Sequence, residues 1–285
     1  MRFKVRDLLF VLLLTSGLAS GQNISSAKTT LIFEGNRVFS ERDLRSITEK
    51  CLAADDHWKG RYRSETLDYC LSRLKLFLAA NGYLQSNIGE RKEQEVETGL
   101  RVTVPITEGA LYRLGEVEIT GSKLFAPTQL LEMLTLKHGD IADGESLGAW
   151  LYERVGNAYR SFGYIQYTAE LEPKFHLKDG AREGIVDLNV AIDEGEAFTI
   201  RSIRFEGKGN VSEDALITEM LVRNDDVFNK QLFDDSLKRI SQTGEFGVID
   251  PDKDVDYKVD QKNPRLDLII HLKKKVTTLT PVLRP

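Results

Sequence analysis

The sequence is short of cysteine, of histidine, of long apolar runs and of surplus positive charge, and each shortage closes off a class of function. It holds 2 cysteines and 4 histidines in 285 residues. His57, His138, His176 and His271 stand at unrelated positions, and no pair of them has the helix or hairpin spacing with a carboxylate that a zinc site uses. Cys51 and Cys70 form no Cys-x-x-Cys, and no nearby group would lower a thiol pKa, so cysteine catalysis is not expected. Lys and Arg number 39 against 44 Asp and Glu, a net charge of −5, which is the wrong sign for a duplex nucleic-acid binder. Gly207-Lys208-Gly209-Asn210 lacks the longer phosphate-loop pattern and reads as a plain turn. The acidic stretch from Asp250 to Asp256 lacks calcium-loop spacing and reads as a solvated turn. With no nucleophile–base pair, metal cluster or phosphate loop, the expectation is a chain that is not an enzyme and carries no cofactor.

What is there begins with a leader. Arg2, Lys4 and Arg6 precede the apolar run Leu8–Leu14, and Ala19-Ser20-Gly21 supplies small side chains for cleavage, so residues 1–21 read as a signal peptide. The run is well short of the ~20 apolar residues of a bilayer span. Export gives the two cysteines a meaning, since a lone pair in an oxidising compartment reads as a disulfide. It would close a loop of about 19 residues, worth roughly 3 kcal/mol. The alternative is two buried free thiols.

The rest is written three times. Gly35, Gly121 and Gly207 recur at intervals of 86 residues, each ending a strand of period two whose inward candidates are Leu31 and Phe33, Val117 and Ile119, Ile203 and Phe205. A helix follows, with Ser40, Ala126 and Ser212 before it and Leu44, Leu130 and Leu216 facing the core. A second helix runs over 64–81, 145–162 and 228–243. Its inward stripes are Leu67, Cys70, Leu71, Leu74 and Leu78, then Leu147, Leu151, Val155 and Tyr159, then Leu232, Phe233, Leu237 and Ile240. Gly82, Gly163 and Gly244 close these helices as left-handed caps. Two strands complete each unit: an irregular one over 84–93, 165–176 and 254–261, and an alternating one through Val102, Leu188 and Leu268. Polar links over 93–98 and 178–183 join them as hairpins. Trp150 suits the core or an inter-repeat contact, whereas Trp58, in a polar loop, is a candidate partner contact.

The fold class is therefore α+β: three tandem β-α-α-β-β repeats over 29–109, 110–196 and 197–276, with a tail over 277–285. Each is a mixed three-stranded sheet of order 2-3-1 backed by two helices, because the closing hairpin must be antiparallel and a strand returning after two helices runs parallel to the first.

The order of elements, the strand exits Phe33-Glu34-Gly35-Asn36 and Ile119-Thr120-Gly121-Ser122, the helix exits Gly82-Tyr83 and Gly163-Tyr164, and the joints from Glu108-Gly109 to Tyr112 and from Glu194-Gly195 to Phe198 resemble POTRA domains. These are the periplasmic modules of the BamA-type outer-membrane β-barrel assembly family. The resemblance implies a periplasmic location, at the outer membrane through partners. It also implies binding of unfolded barrel precursors, of barrel-assembly subunits or of a separately encoded barrel. The ten residues after Lys275 are too few for a membrane barrel, so insertase activity is not carried over. An envelope adaptor using the same fold, in division or secretion, is the alternative reading.

A sheet of order 2-3-1 leaves its second strand at an edge, and an open edge offers unpaired N–H and C=O groups to an incoming strand. The expected docking edges are Leu84, Gln85, Ser86, Asn87 and Ile88; Ile165, Gln166, Tyr167, Thr168 and Ala169; and Asp254, Val255, Asp256, Tyr257, Lys258 and Val259. The grooves between these edges and the second helices would hold side chains. Lys273, Lys274 and Lys275 read as a solvated strand end, with lipid headgroups as the alternative.

Overall fold

The computed structural model describes residues 28–54, 63–260 and 262–275. The expected signal peptide, His57, Trp58 and the tail lie outside the described residues. The chain forms two compact units. One holds the residues up to Thr120 with Phe125–Trp150 and Glu170–Ala191; the other holds Gly121–Leu124, Leu151–Ala169 and the residues from Ile192 on.

The first sheet pairs β1 (Lys28–Glu34) in parallel with β4 (Gly99–Thr107), placing Leu31 beside Val102 and Phe33 beside Val104. Its far side is one strand in two pieces, β2 (Asn87–Ile88) and β3 (Lys92–Val96), both antiparallel to β4. The break has a local cause. Between the Ile88–Ile106 and Lys92–Thr103 pairs the outer strand carries one residue more than β4, and opposite it stands Pro105, which has no N–H to give the ladder. The link expected over 93–98 thus begins later, because Lys92–Val96 is strand. Helices α1 (Glu41–Ala53) and α2 (Ser64–Ala80) cover the apolar face, with Leu44, Leu67, Leu74 and Leu78 in the core. The Ser40 side chain caps α1 by accepting the Asp43 N–H at 3.2 Å. Cys51 and Cys70 are disulfide-bonded, with Cα atoms 5.7 Å apart, and tie α1 to α2.

The second sheet has the order β5 (Leu111–Thr120), β7 (Glu183–Asp193), β6 (Thr168–His176), with β5 and β7 parallel. A bulge in β5 lets the Glu116 N–H reach the Asp187 carboxylate at 2.8 Å. After α3 (Pro127–Glu132) the second helix comes as α4 (Gly144–Gly148), a π-helical segment Ala149–Val155 and α5 (Gly156–Arg160). The sequence explains the π turns. Leu147, Leu151, Val155 and Tyr159 are buried at a strict spacing of four, which on an α-helix would drift by about 40° per turn. Wider i→i+5 turns keep that stripe on the core. Trp150 is a core residue, its indole N–H donating to the Leu130 carbonyl at 2.8 Å.

The third sheet has the order β8 (Thr199–Glu206), β10 (Arg265–His271), β9 (Val255–Val259), again with the first pair parallel and the second antiparallel. Helices α6 (Glu213–Glu219) and α7 (Lys230–Gln242) supply Leu216, Phe233, Leu237 and Ile240 to its core. Leu232 is a correction: it is 40% exposed, and Phe233 and Ser236 take the inward positions of that turn. Gly82, Gly163 and Gly244 have φ of 84°, 88° and 85°, the left-handed caps expected. Among the described residues no helix is long and apolar enough to cross a membrane.

Candidate peptide-docking edges

In each sheet the third strand of the repeat is central, so the first and second strands form the margins. The first-strand margins of the second and third sheets are covered by the chain itself. Leu114 donates its N–H to the Asp140 carbonyl at 2.8 Å, Gly139 donates to Leu114 at 2.7 Å and Ala142 to Tyr112 at 2.9 Å. The third sheet repeats the device, with Ile200 donating to Asp226 at 2.8 Å, Asp225 to Ile200 at 2.7 Å and Phe228 to Phe198 at 2.8 Å. Sequence reasoning missed these straps, because Gly139-Asp140 and Asp225-Asp226 look like ordinary turns.

The second-strand margins carry no such strap among the described residues. On β9 the ladder phase follows from its two ends. His271 donates to the Asp254 carbonyl at 2.8 Å and Asp260 donates to the Arg265 carbonyl at 2.9 Å. Antiparallel pairs alternate, so Asp256 and Lys258 point their backbone groups at β10. Val255, Tyr257 and Val259 therefore point theirs outward. β6 is longer, but Pro173 removes one N–H from it.

The expected edge residues divide in two. Asn87 and Ile88, Thr168 and Ala169, and Val255 to Val259 lie on the second strands. The residues before them do not, which corrects the expected starts. Leu84, Gln85 and Ser86 form the turn leaving α2, held by the Ser86 N–H on the Tyr83 carbonyl at 3.1 Å. Leu84 packs on the second core, and Gln85 accepts the Tyr112 hydroxyl at 2.5 Å. Ile165, Gln166 and Tyr167 repeat that turn: Ile165 packs on the third core, and the buried Tyr167 donates its hydroxyl to the Leu151 carbonyl at 3.2 Å. Their side chains serve the joint to the next repeat and the local core. At both joints the helix-exit glycine receives an aromatic N–H, Tyr112 on Gly82 and Phe198 on Gly163, each at 2.9 Å. Asp254, just before β9, is buried; its carboxylate accepts from Lys273 Nζ at 2.5 Å and from the Asp250 N–H at 3.0 Å, and these bonds hold its pKa down.

The first edge opens on a cleft of about 590 Å³ between α2 and the bulge, lined by Asp68, Ser72, Lys75, Ile88, Gly89 and Arg91. The Arg91 guanidinium pins the bulge to α2 through Asp68 and Ser64, and bonds Glu93 at 2.8 Å. The cleft is polar at the rim, with Leu71 and Ile88 below.

The loop after the first strand of the second repeat is also tied down. Glu194 accepts N–H bonds from Lys123 and Leu124 at 2.7 and 2.8 Å and the Tyr159 hydroxyl at 2.9 Å. Burial alone would raise its pKa, but these donors hold it below the usual value. Burial pushes the Tyr159 hydroxyl up to about 12. Among the described residues no group of three His, Cys, Asp or Glu side chains is placed to hold a metal ion.

Residues 198–275 match the POTRA family model, described as surface antigen variable number repeat. The fold matches the crystal structure of Haemophilus influenzae BamA POTRA3-5 with a TM-score of 0.68 and 21% identity, over 90% of this chain and 100% of that one. BamA of Neisseria meningitidis is 26% identical over 228 residues, 78% of this chain. The chain has the fold of POTRA domains, and its residues 198–275 match the POTRA model itself. A putative outer membrane protein assembly factor of Treponema pallidum is 24% identical over 267 residues, 89% of this chain. The chain spans only 30% of the Treponema protein and 28% of the Neisseria one, so about a third of the length of such relatives. The POTRA match falls on the third sheet and its helices, where the β9 margin lies.

Proposed function

We propose that this chain is a periplasmic docking module in outer-membrane protein assembly, taking extended segments of barrel precursors or of assembly subunits as an added strand along its second-strand margins. The observation that carries the reading is the asymmetry of the margins. The first-strand side is strapped in the second and third sheets, while β9 leaves the backbone groups of Val255, Tyr257 and Val259 facing outward. An unpaired row of that kind bonds main chain to main chain and depends little on the incoming side chains. That tolerance suits a receptor for many clients. The relatives' description as outer membrane protein assembly factors supports the location and the clients.

Proline scanning tests it. Val259→Pro removes an outward N–H and spares the ladder, so it should weaken binding of a barrel-strand peptide about tenfold, the worth of one good hydrogen bond, with thermal stability unchanged. Lys258→Pro removes a ladder bond and should cost about 1 kcal/mol or more of stability. A photo-crosslinker at Val259 in the native periplasm should capture barrel precursors or assembly subunits. Capture of neither, with full binding retained in Val259→Pro, would overturn the reading.

A further inference from the structure

The three strand-exit glycines mark one place in each repeat. A methyl group built on Gly35, Gly121 or Gly207 would strike the carbonyl oxygen of Ile106, Ile192 or Leu272, at 2.6, 2.1 and 2.3 Å. Two residues past those carbonyls stand Glu108, Glu194 and Lys274. The first two are buried and serve the loop after the glycine. Glu108 accepts the N–H groups of Arg37, Val38 and Phe39 at 2.9, 2.8 and 2.8 Å, and Glu194 those of Lys123 and Leu124. The third loop has the same length, yet the side chain at the matching position is a cation with nothing to accept.

The consequences are local and visible. The Val211 N–H turns back to the Lys208 carbonyl at 3.2 Å, and no carboxylate among the described residues receives the N–H of Gly209 or Asn210. Lys274 lies against this loop, its Cε and Nζ 2.7 and 3.1 Å from where a Cβ on Gly209 would be. Its neighbours are paired, Lys208 with Glu213 at 3.3 Å and Lys273 with Asp254 at 2.5 Å, while Lys274 forms no ion pair among the described residues.

We propose that the loop Gly207–Val211 and Lys274 form a binding site for a phosphate group. The Gly209 and Asn210 N–H groups and two ammonium groups gather here, with Glu213 as the one carboxylate bonded to them among the described residues. The two sister loops each hold an anion on the same positions, and successive backbone N–H groups form a natural anion seat. The exchange of a carboxylate for an ammonium reverses the local charge. Lys208 adds a second cation, held only by an exposed pair that exchanges cheaply. Two cations and two N–H donors match a phosphate group, with its several acceptor oxygens and up to two charges, better than a single carboxylate. The turn is still not a nucleotide-binding loop, as its sequence indicates. The site is independent of strand addition at β9.

The test titrates the ¹⁵N-labelled full chain with inorganic phosphate against chloride at matched ionic strength. The Gly209 and Asn210 amides should shift saturably while those of Arg37 and Lys123 stay still. Lys274→Met should weaken the apparent affinity about tenfold, as expected for a lost charge-assisted bond. Lys274→Glu should abolish binding, raise the melting temperature, and move those two amides without phosphate in the direction phosphate moves them in the parent chain. Phosphatidylglycerol vesicles, compared with phosphatidylcholine, separate the sources. Binding lost in Lys274→Glu assigns the phosphate to a lipid headgroup, and phosphate binding without vesicle binding assigns it to the free ion. Unsaturable shifts, shifts with acetate but not phosphate, or an undiminished response in Lys274→Glu would overturn the site.

Discussion

Glu108 and Glu194 do structural work that glutamates seldom do, because each holds a loop by its backbone from a buried position. Replacing either with alanine strands two or three part-buried N–H groups and should cost about 1 kcal/mol, while the exposed Glu118 changed to alanine should cost little. Urea unfolding of the three variants measures this. The sign of the pH effect follows from Glu194, whose carboxyl is held below its ordinary 4.5 in the folded chain. Its contribution is whole above that value and is lost as pH falls through the lower folded-state value, and Glu194→Gln should flatten that part of the acid limb. The disulfide is the other single-residue lever. Changing Cys51 and Cys70 together to alanine should lower stability by about 3 kcal/mol, seen as an earlier urea midpoint. The cysteine pair was legible in the sequence because export leaves few other uses for two thiols. The glutamates were visible only as part of a joint motif, since nothing in a sequence says which N–H groups a carboxylate will meet.

At the scale of elements, identical glycines have different surroundings. Gly163 and Gly244 share a left-handed φ, but a Cβ on Gly163 would stand 2.8 Å from Val227 and 3.1 Å from the Phe198 carbonyl, whereas one on Gly244 meets nothing within 4 Å. Gly244→Ala should therefore cost only the backbone term of about 1 to 2 kcal/mol, and Gly163→Ala clearly more, in thermal melts of the two variants. The periodicities of three and four read the helices correctly because apolar burial sets them. They failed at Leu232, where Phe233 won the core position, and gave no hint that a spacing of four would be met by π turns. Pro105 was the one legible sign of the broken edge opposite it, since a proline inside an interior strand demands a bulge.

For the whole molecule, the recurrence of Gly35, Gly121 and Gly207 was enough to reveal three copies of one unit, and the POTRA resemblance followed from it. The candidate margins were half legible. Strand order placed them, but the turns before them proved to belong to the joints, through Leu84 and Ile165. A receptor that grips main chain should be indifferent to side chains. Peptides of alternating polarity but unrelated sequence should bind the full chain within about tenfold of one another, roughly 1.4 kcal/mol, by fluorescence anisotropy. Proline-interrupted versions should fail.

The bulge between Ile88 and Lys92 bears on which chains the first margin could take. Side chains along a strand alternate between faces, and one surplus residue inverts that alternation for everything beyond it. A guest lying across this stretch would find its apolar positions on the covered face at one end and in water at the other. Under the proposed docking, the first margin would act as a parity filter, taking a short segment that stops at Gly89, or a longer one with a surplus residue of its own.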